Sequence, residues 1–184
     1  MAAVPDTRYS AQDMNRMGLY LFFISESMLF FGLVASRYYL VGTAIPSDMN
    51  IMLAVGLTVL LLTSSASAYR AEMAARRGDH RAVVQAFAVT VLLGTLFIVG
   101  VGFEWSAGFE HFAPGTLYGT IFFAITGIHA FHLVTGIVFI AIVMLNVSRG
   151  RVEEDIWPVE AAVRYWHFVD AAWLLLFFPT LYLI

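Results

Sequence analysis

The sequence predicts an all-α membrane protein, a bundle of five transmembrane helices running N-in, C-out. Three observations predict it. The chain has 184 residues, of which 60% are hydrophobic and only 12% charged, about half the roughly 25% charge of a soluble domain. Its apolar residues gather into runs near or above the roughly 20 residues that a bilayer core requires. Its ten cations, all arginine, fall almost entirely to one side of those runs.

The first apolar run covers about 17–40 and the second about 51–69. The third covers about 82–103. The fourth, about 117–147, is longer than a span requires, so tilt or an overhang is expected. The fifth covers about 165–184. Between them lie short polar connections: 42–50 with Pro46, Ser47, Asp48 and Asn50; 70–81 with RRGDHR; 104–116 with Gly108, Pro114 and Gly115; and 148–164 with RGRVEED and Pro158. No linker, repeat or separate soluble unit is evident, so residues 1–184 read as one integral membrane domain. The opening MAAVPDTRYSAQDMNRMG, with Asp6, Arg8, Asp13 and Arg16, lacks the apolar core and cleavage site of an export signal. Insertion by the first spanning helix itself is expected.

Direction follows from arginine placement, because cytoplasmic loops hold the excess of cations. With the N-terminus inside, Arg8, Arg16, Arg70, Arg76, Arg77, Arg81, Arg149, Arg151 and Arg164 all face the cytoplasm, and Arg37 alone does not. The boundary aromatics agree, with Tyr38, Tyr39, Trp105 and Tyr118 at the outer level and Tyr69, Tyr165 and Trp166 at the inner one.

Several function classes are excluded. A net charge of −3 and the lack of a basic stripe argue against a nucleic-acid partner. The absence of cysteine removes disulfides, Fe–S ligation, c-type haem attachment and thiolate copper sites. No phosphate-cradling glycine loop, nucleophile–base pair or zinc spacing occurs. No catalytic residue, metal ligand or cofactor site is therefore expected.

Polar residues at membrane depth are the informative ones, since each costs a few kcal/mol, roughly, unless it finds a partner. Glu26 lies about 14 Å into the first helix by the standard rise. It reads either as a proton-exchanging or lipid-facing carboxyl or as a carboxyl hydrogen-bonded inside the bundle. His129 and His132, at i and i+3, share one face of the fourth helix. They lack the Glu-x-x-His partners of a di-iron bundle and cannot reach opposite sides of one haem, so interhelical hydrogen bonding or a partner contact is expected. His167 and Asp170, again i and i+3, are expected to pair about one turn inside the inner interface, structurally or as a proton relay. Glu104, after Gly100 and Gly102, reads as a boundary anchor that reaches water. Small residues mark close helix approach: the Ser64–Ala68 cluster, Gly94, Gly100 with Gly102, and Gly127 with Gly136. A bulky residue at Gly127 or Gly136 is expected to weaken docking.

Taken in order, these segments resemble subunit III of the haem–copper respiratory oxidases. FFISESMLFFG places Glu26 on that family's membrane carboxylate. TSSASAYRAEMAARRGDHR is similar to its small-residue helix end, Gly-Asp turn and basic residues. GTLFIVGVGFEW places Glu104 and Trp105 on its Glu–aromatic pair. TGIHAFHLVTG places Gly127, His129, His132 and Gly136 on its "TG.H..H...G", and YWHFVDAAWLLLF resembles its signature in the last helix. The chain departs at Val101, where the family often has Gln, and lacks two N-terminal helices of the longer form.

The resemblance implies a non-redox subunit of a cytochrome c oxidase in the bacterial inner membrane. It implies contact with subunit I, which holds the haem and copper, and association with subunit II, other small subunits or a supercomplex. It also implies bound phospholipid and support for proton uptake and oxygen access. The equivalent subunit of a quinol oxidase or nitric oxide reductase is the alternative. A stand-alone proton-coupled transporter using Glu26, His129 and His132 is the alternative of a different class. Pro179 lacks an N–H, so a bend is expected in the last helix.

Overall fold

The computed structural model describes residues 10–43, 45–46, 49–152 and 155–183. The polar N-terminal residues Asp6 and Arg8, Ser47 and Asp48 in the first connection, the acidic pair Glu153 and Glu154, and Ile184 at the expected end of the fifth helix lie outside the described residues. Every regular element among the described residues is helical.

Helix α1 spans Ala11–Val41, α2 Ile51–Arg76, α3 His80–His111 and α4 Leu117–Ser148. Each of these four is long and apolar enough to cross a membrane. A fifth helical column follows, built from α5 (Trp157–Ala172), a π-helical turn (Trp173–Phe177) and α6 (Phe178–Tyr182).

All five runs become helices, but several boundaries lie outside the apolar stretches. α1 starts at Ala11 because Ser10 caps it: its hydroxyl accepts from the Asp13 N–H, and the Asp13 carboxylate accepts from the Ser10 N–H. α2 runs on to Arg76 rather than stopping near Tyr69. The turn Arg77–Asp79 then reverses the chain, with Gly78 at φ 72, a left-handed conformation costly for any residue with a Cβ. Asp79 caps α3 by accepting from the Ala82 N–H. α3 likewise continues past Phe103 to His111, and α5 begins at Trp157 rather than Tyr165, with Pro158 in its first turn. Hydropathy marks the lipid-facing centre of a helix, whereas capping groups decide where it ends.

The bend expected at Pro179 takes the form of the π turn. Pro179 has no N–H to return to the preceding turn, and immediately before it the Phe178 N–H reaches back to the Trp173 carbonyl. The wider turn is how the column passes the proline without breaking.

α2, α3, α4 and α5 each pack against two neighbours and close a ring, with α1 laid outside it against α4 and α5. Burial follows that plan. Only 6% of the apolar centre of α1 is buried, against 39%, 28% and 33% for α2, α3 and α4. The fifth column is the most enclosed, with Val159, Ala162, Val163, Trp166, Val169, Trp173, Phe177 and Leu181 all at 1% exposure or less. It can hold Glu160, His167 and Asp170 because its neighbours are protein rather than lipid.

The glycines sort by what surrounds them. A Cβ on Gly136 would stand 3.0 Å from the Tyr165 and Trp166 rings, and one on Gly94 2.6 Å from Trp166. These two glycines form the slot that receives the Trp166 indole. Gly100 lets Leu57 approach from α2. Gly127 has room, since its Cβ would meet Trp105 at 3.6 Å, an ordinary contact. Around Gly102 nothing lies within 4 Å. Inside this chain a close approach occurs at Gly136 and Gly100 and not at Gly127 or Gly102.

Candidate functional site

The membrane-depth polar residues lie at several separate helix contacts. Glu26 reaches from α1 to α4, its Oε2 3.0 Å from His132 Nε2. His132 Nδ1 lies 2.8 Å from the Ile128 carbonyl oxygen, which can only accept, so Nδ1 holds a hydrogen. Nε2 then accepts from a protonated Glu26 or, on an imidazolium, donates to the carboxylate. Either way the pair shares one proton. Phe30 stands edge-on to the same imidazole at 5.1 Å, and Tyr165 donates to the His132 carbonyl at 3.1 Å.

His129, one turn before His132, is enclosed by rings. It stacks on Trp173 at 5.1 Å and meets Phe97 and Phe177 edge-on at 5.9 and 5.5 Å. Neither of its nitrogens has a hydrogen-bond partner among the described residues. Where interhelical hydrogen bonding or a partner contact is expected, the imidazole packs among these three rings. No group of three or more His, Asp or Glu side chains among the described residues is placed to hold a metal.

His167 and Asp170 do not pair with each other. His167 Nδ1 lies 2.6 Å from the Ser65 hydroxyl on α2. The Asp170 carboxylate is buried, and among the described residues neither of its oxygens meets a donor in hydrogen-bonding geometry. The physical reason is that α2 brings Ser65 up to His167, so its partner comes from across the interface rather than from one turn along α5.

Glu104 is no boundary anchor. It is buried at 7% exposure, and the Tyr182 hydroxyl donates to its Oε1 at 2.6 Å. α3 continues two turns beyond it to His111, which keeps the carboxyl inside the bundle.

Some of the polar framework has no sequence motif to announce it. The Trp166 indole donates to Ser64 at 2.9 Å and the Trp173 indole to Thr58 at 3.0 Å, so the small-residue face of α2 also supplies hydrogen-bond acceptors. Glu160, at 6% exposure, accepts from Arg76 of α2 at 2.6 Å and from Arg164 at 3.2 Å. Arg37 is fully buried beneath the Tyr118 ring and donates to the Gly42 carbonyl. An acidic residue within reach of the arginine-rich turn was the available signal for Glu160. Arg37, the lone arginine on its side, was the other.

The model of the family described as cytochrome c oxidase subunit III matches residues 6–183. The chain belongs to the cytochrome c oxidase subunit III family. Among its relatives, cytochrome c oxidase subunit 3 of Corynebacterium diphtheriae is 34% identical over 94% of this chain and 89% of its own length. A probable cytochrome c oxidase subunit 3 of Mycobacterium tuberculosis is 31% identical over 90% of this chain and 86% of its own. Cytochrome c oxidase subunit 3 of Pylaiella littoralis is 33% identical over 88% of this chain, which spans 64% of that relative. A subunit III of this family is part of an oxidoreductase complex with other oxidase subunits, and the apolar helices α1 to α4 make this one a multi-pass membrane protein.

Proposed function

We propose that this chain is the non-redox subunit III of a proton-translocating cytochrome c oxidase in a bacterial inner membrane, with five spanning helices oriented N-in, C-out. It braces subunit I, associates with subunit II and smaller subunits, and keeps phospholipid at the complex, so that proton uptake and oxygen access are sustained. The chemistry belongs to the haem and copper of subunit I. The observation that carries this reading is where the motif side chains spend their polar groups. Glu26, His132, His167 and Glu104 are each engaged by another helix of the same chain, as expected of a scaffold.

Two further features support the details. The outer faces of α1 to α4 present large apolar side chains such as Leu21, Phe31, Leu92 and Phe131, suited to lipid and to another membrane subunit. Among the described residues, eight of the nine arginines lie at the start of α1, the α2–α3 turn and the α4–α5 connection with the start of α5, which supports N-in.

The test is affinity purification through this chain, followed by optical spectra and identification of the subunits. Haem signals, copper and subunits I and II should copurify with oxygen reduction driven by reduced cytochrome c. A complex that oxidises quinol, or reduces nitric oxide without an oxygen-reducing copper site, would assign the chain to that related complex. Substrate flux from the reconstituted chain with no oxidase attached would overturn the reading.

A further inference from the structure

A groove of about 590 Å³ runs along the outer seam of α2 and α3. Its α2 wall includes Thr63, Ser67, Arg70 and Arg77, and its α3 wall includes Gln85 and Val89. Arg70 and Arg77 are seven residues apart and so lie on one face of α2. From Thr63 to Arg77 the groove extends about 21 Å by the helical rise, somewhat more than one leaflet of a hydrocarbon core about 30 Å thick. Across its floor the Ser67 hydroxyl donates to the Ala86 carbonyl at 2.7 Å.

The charge in this groove is all of one sign, with Arg70 midway along it and Arg77 at one end. No carboxylate lines it. Arg76, on the neighbouring face, is held by Glu72 and Glu160 at 2.7 and 2.6 Å. Among the described residues neither Arg70 nor Arg77 has an ion pair or a side-chain hydrogen bond. Toward Thr63 and Val89 the walls are small or apolar. The seam also lies away from α1, which packs on α4 and α5.

We propose that this groove binds an anionic phospholipid, its phosphate between Arg70 and Arg77 and one acyl chain laid along the seam toward Thr63 and Val89. Guanidinium groups match phosphate in charge and in donor geometry, and the uncharged half of the groove beyond Arg70, about 10 Å by the helical rise, can take the upper part of an acyl chain. An acidic loop of a partner subunit would satisfy the arginines but leave the apolar run unfilled. The proposal rests on the membrane-subunit reading above.

The experiment uses the purified complex in bilayers containing photoactivatable phosphatidylglycerol or, separately, photoactivatable phosphatidylcholine, with label mapped by peptide mass spectrometry. Label from phosphatidylglycerol should concentrate on residues 63–89 and exceed that from phosphatidylcholine by about fivefold for each arginine engaged. Arg70→Gln with Arg77→Gln should abolish that excess, whereas Arg149→Gln with Arg151→Gln at the α4–α5 turn should leave it intact. Equal labelling by the two lipids in the wild-type complex would overturn the proposal even if the double variant fails to assemble. So would a seam protected from both lipids and cross-linked instead to another subunit. Absence of oxidase subunits from the preparation would overturn the functional reading separately, and labelling of the full chain would still decide the lipid site.

Discussion

Glu26 of α1 and His132 of α4 meet at 3.0 Å across the contact between the outlying helix and the ring. The remaining contacts of α1 with the fifth column are chiefly ring stacking, such as Phe23 on Phe168 at 4.6 Å. The pair therefore adds a directional polar link to the ring stacking and the Arg37–Tyr118 contact that also hold α1.

Glu26→Gln should leave assembly largely intact, because the amide can still meet Nε2. Glu26→Ala should destabilise the complex by about 1 kcal/mol, nearer the modest membrane hydrogen-bond values than the several kcal/mol of a dry ion pair, since both partners keep some exposure. A double-mutant cycle with His132→Ala, read by thermal inactivation, measures the coupling. Coupling indistinguishable from zero would show that the Glu26–His132 bond adds nothing to the other contacts that hold α1.

Tyr182→Phe leaves the buried Glu104 carboxyl without its donor and should cost about 1–3 kcal/mol. Tyr182→Phe combined with Glu104→Met should recover much of that loss, because removing both polar partners removes the unmet demand. A double variant less stable than Tyr182→Phe alone would mean that Glu104 is needed for something beyond this bond.

Gly136→Ala should destabilise by about 1–3 kcal/mol through its contact with two rings that cannot yield easily. Gly127→Ala and Gly102→Ala should leave the isolated chain near wild type. Comparing the three by subunit retention during purification adds a second reading. If Gly102→Ala releases subunit I while the chain stays folded, its open face is an intersubunit contact.

Trp166→Phe removes the indole donor to Ser64 and part of the volume that fills the Gly94–Gly136 slot. Trp166→Ala should cost about 3–5 kcal/mol, as expected for a large core deletion, and Trp166→Phe clearly less. Denaturation monitored by helical circular dichroism orders the variants, and equal losses would place the energy in the hydrogen bond rather than in packing.

Much of this protein was legible in its residues. Glu26, His129, His132, Glu104, His167 and Asp170 stood out because an ionisable group is costly at membrane depth wherever it occurs. Their partners did not stand out. Ser65, Ser64 and Thr58 are ordinary residues in a small-residue helix, and only the placement of α5 against α2 makes them acceptors or donors. The i, i+3 spacing of His167 and Asp170 indicated a pair that the fold does not make, because a helix offers several neighbours and packing chooses among them.

By itself the sequence determined that the chain is helical, which segments are apolar enough to span a bilayer, and which family it resembles. Those properties follow from composition, period and motif order along one dimension. Tertiary structure alone decided that Glu26 belongs with His132, that Glu104 is buried under Tyr182, and that Gly136 is a slot while Gly102 is open. Each of these depends on which helix faces which, and that is decided by the mutual fit of side chains distant in the chain, which no local pattern encodes.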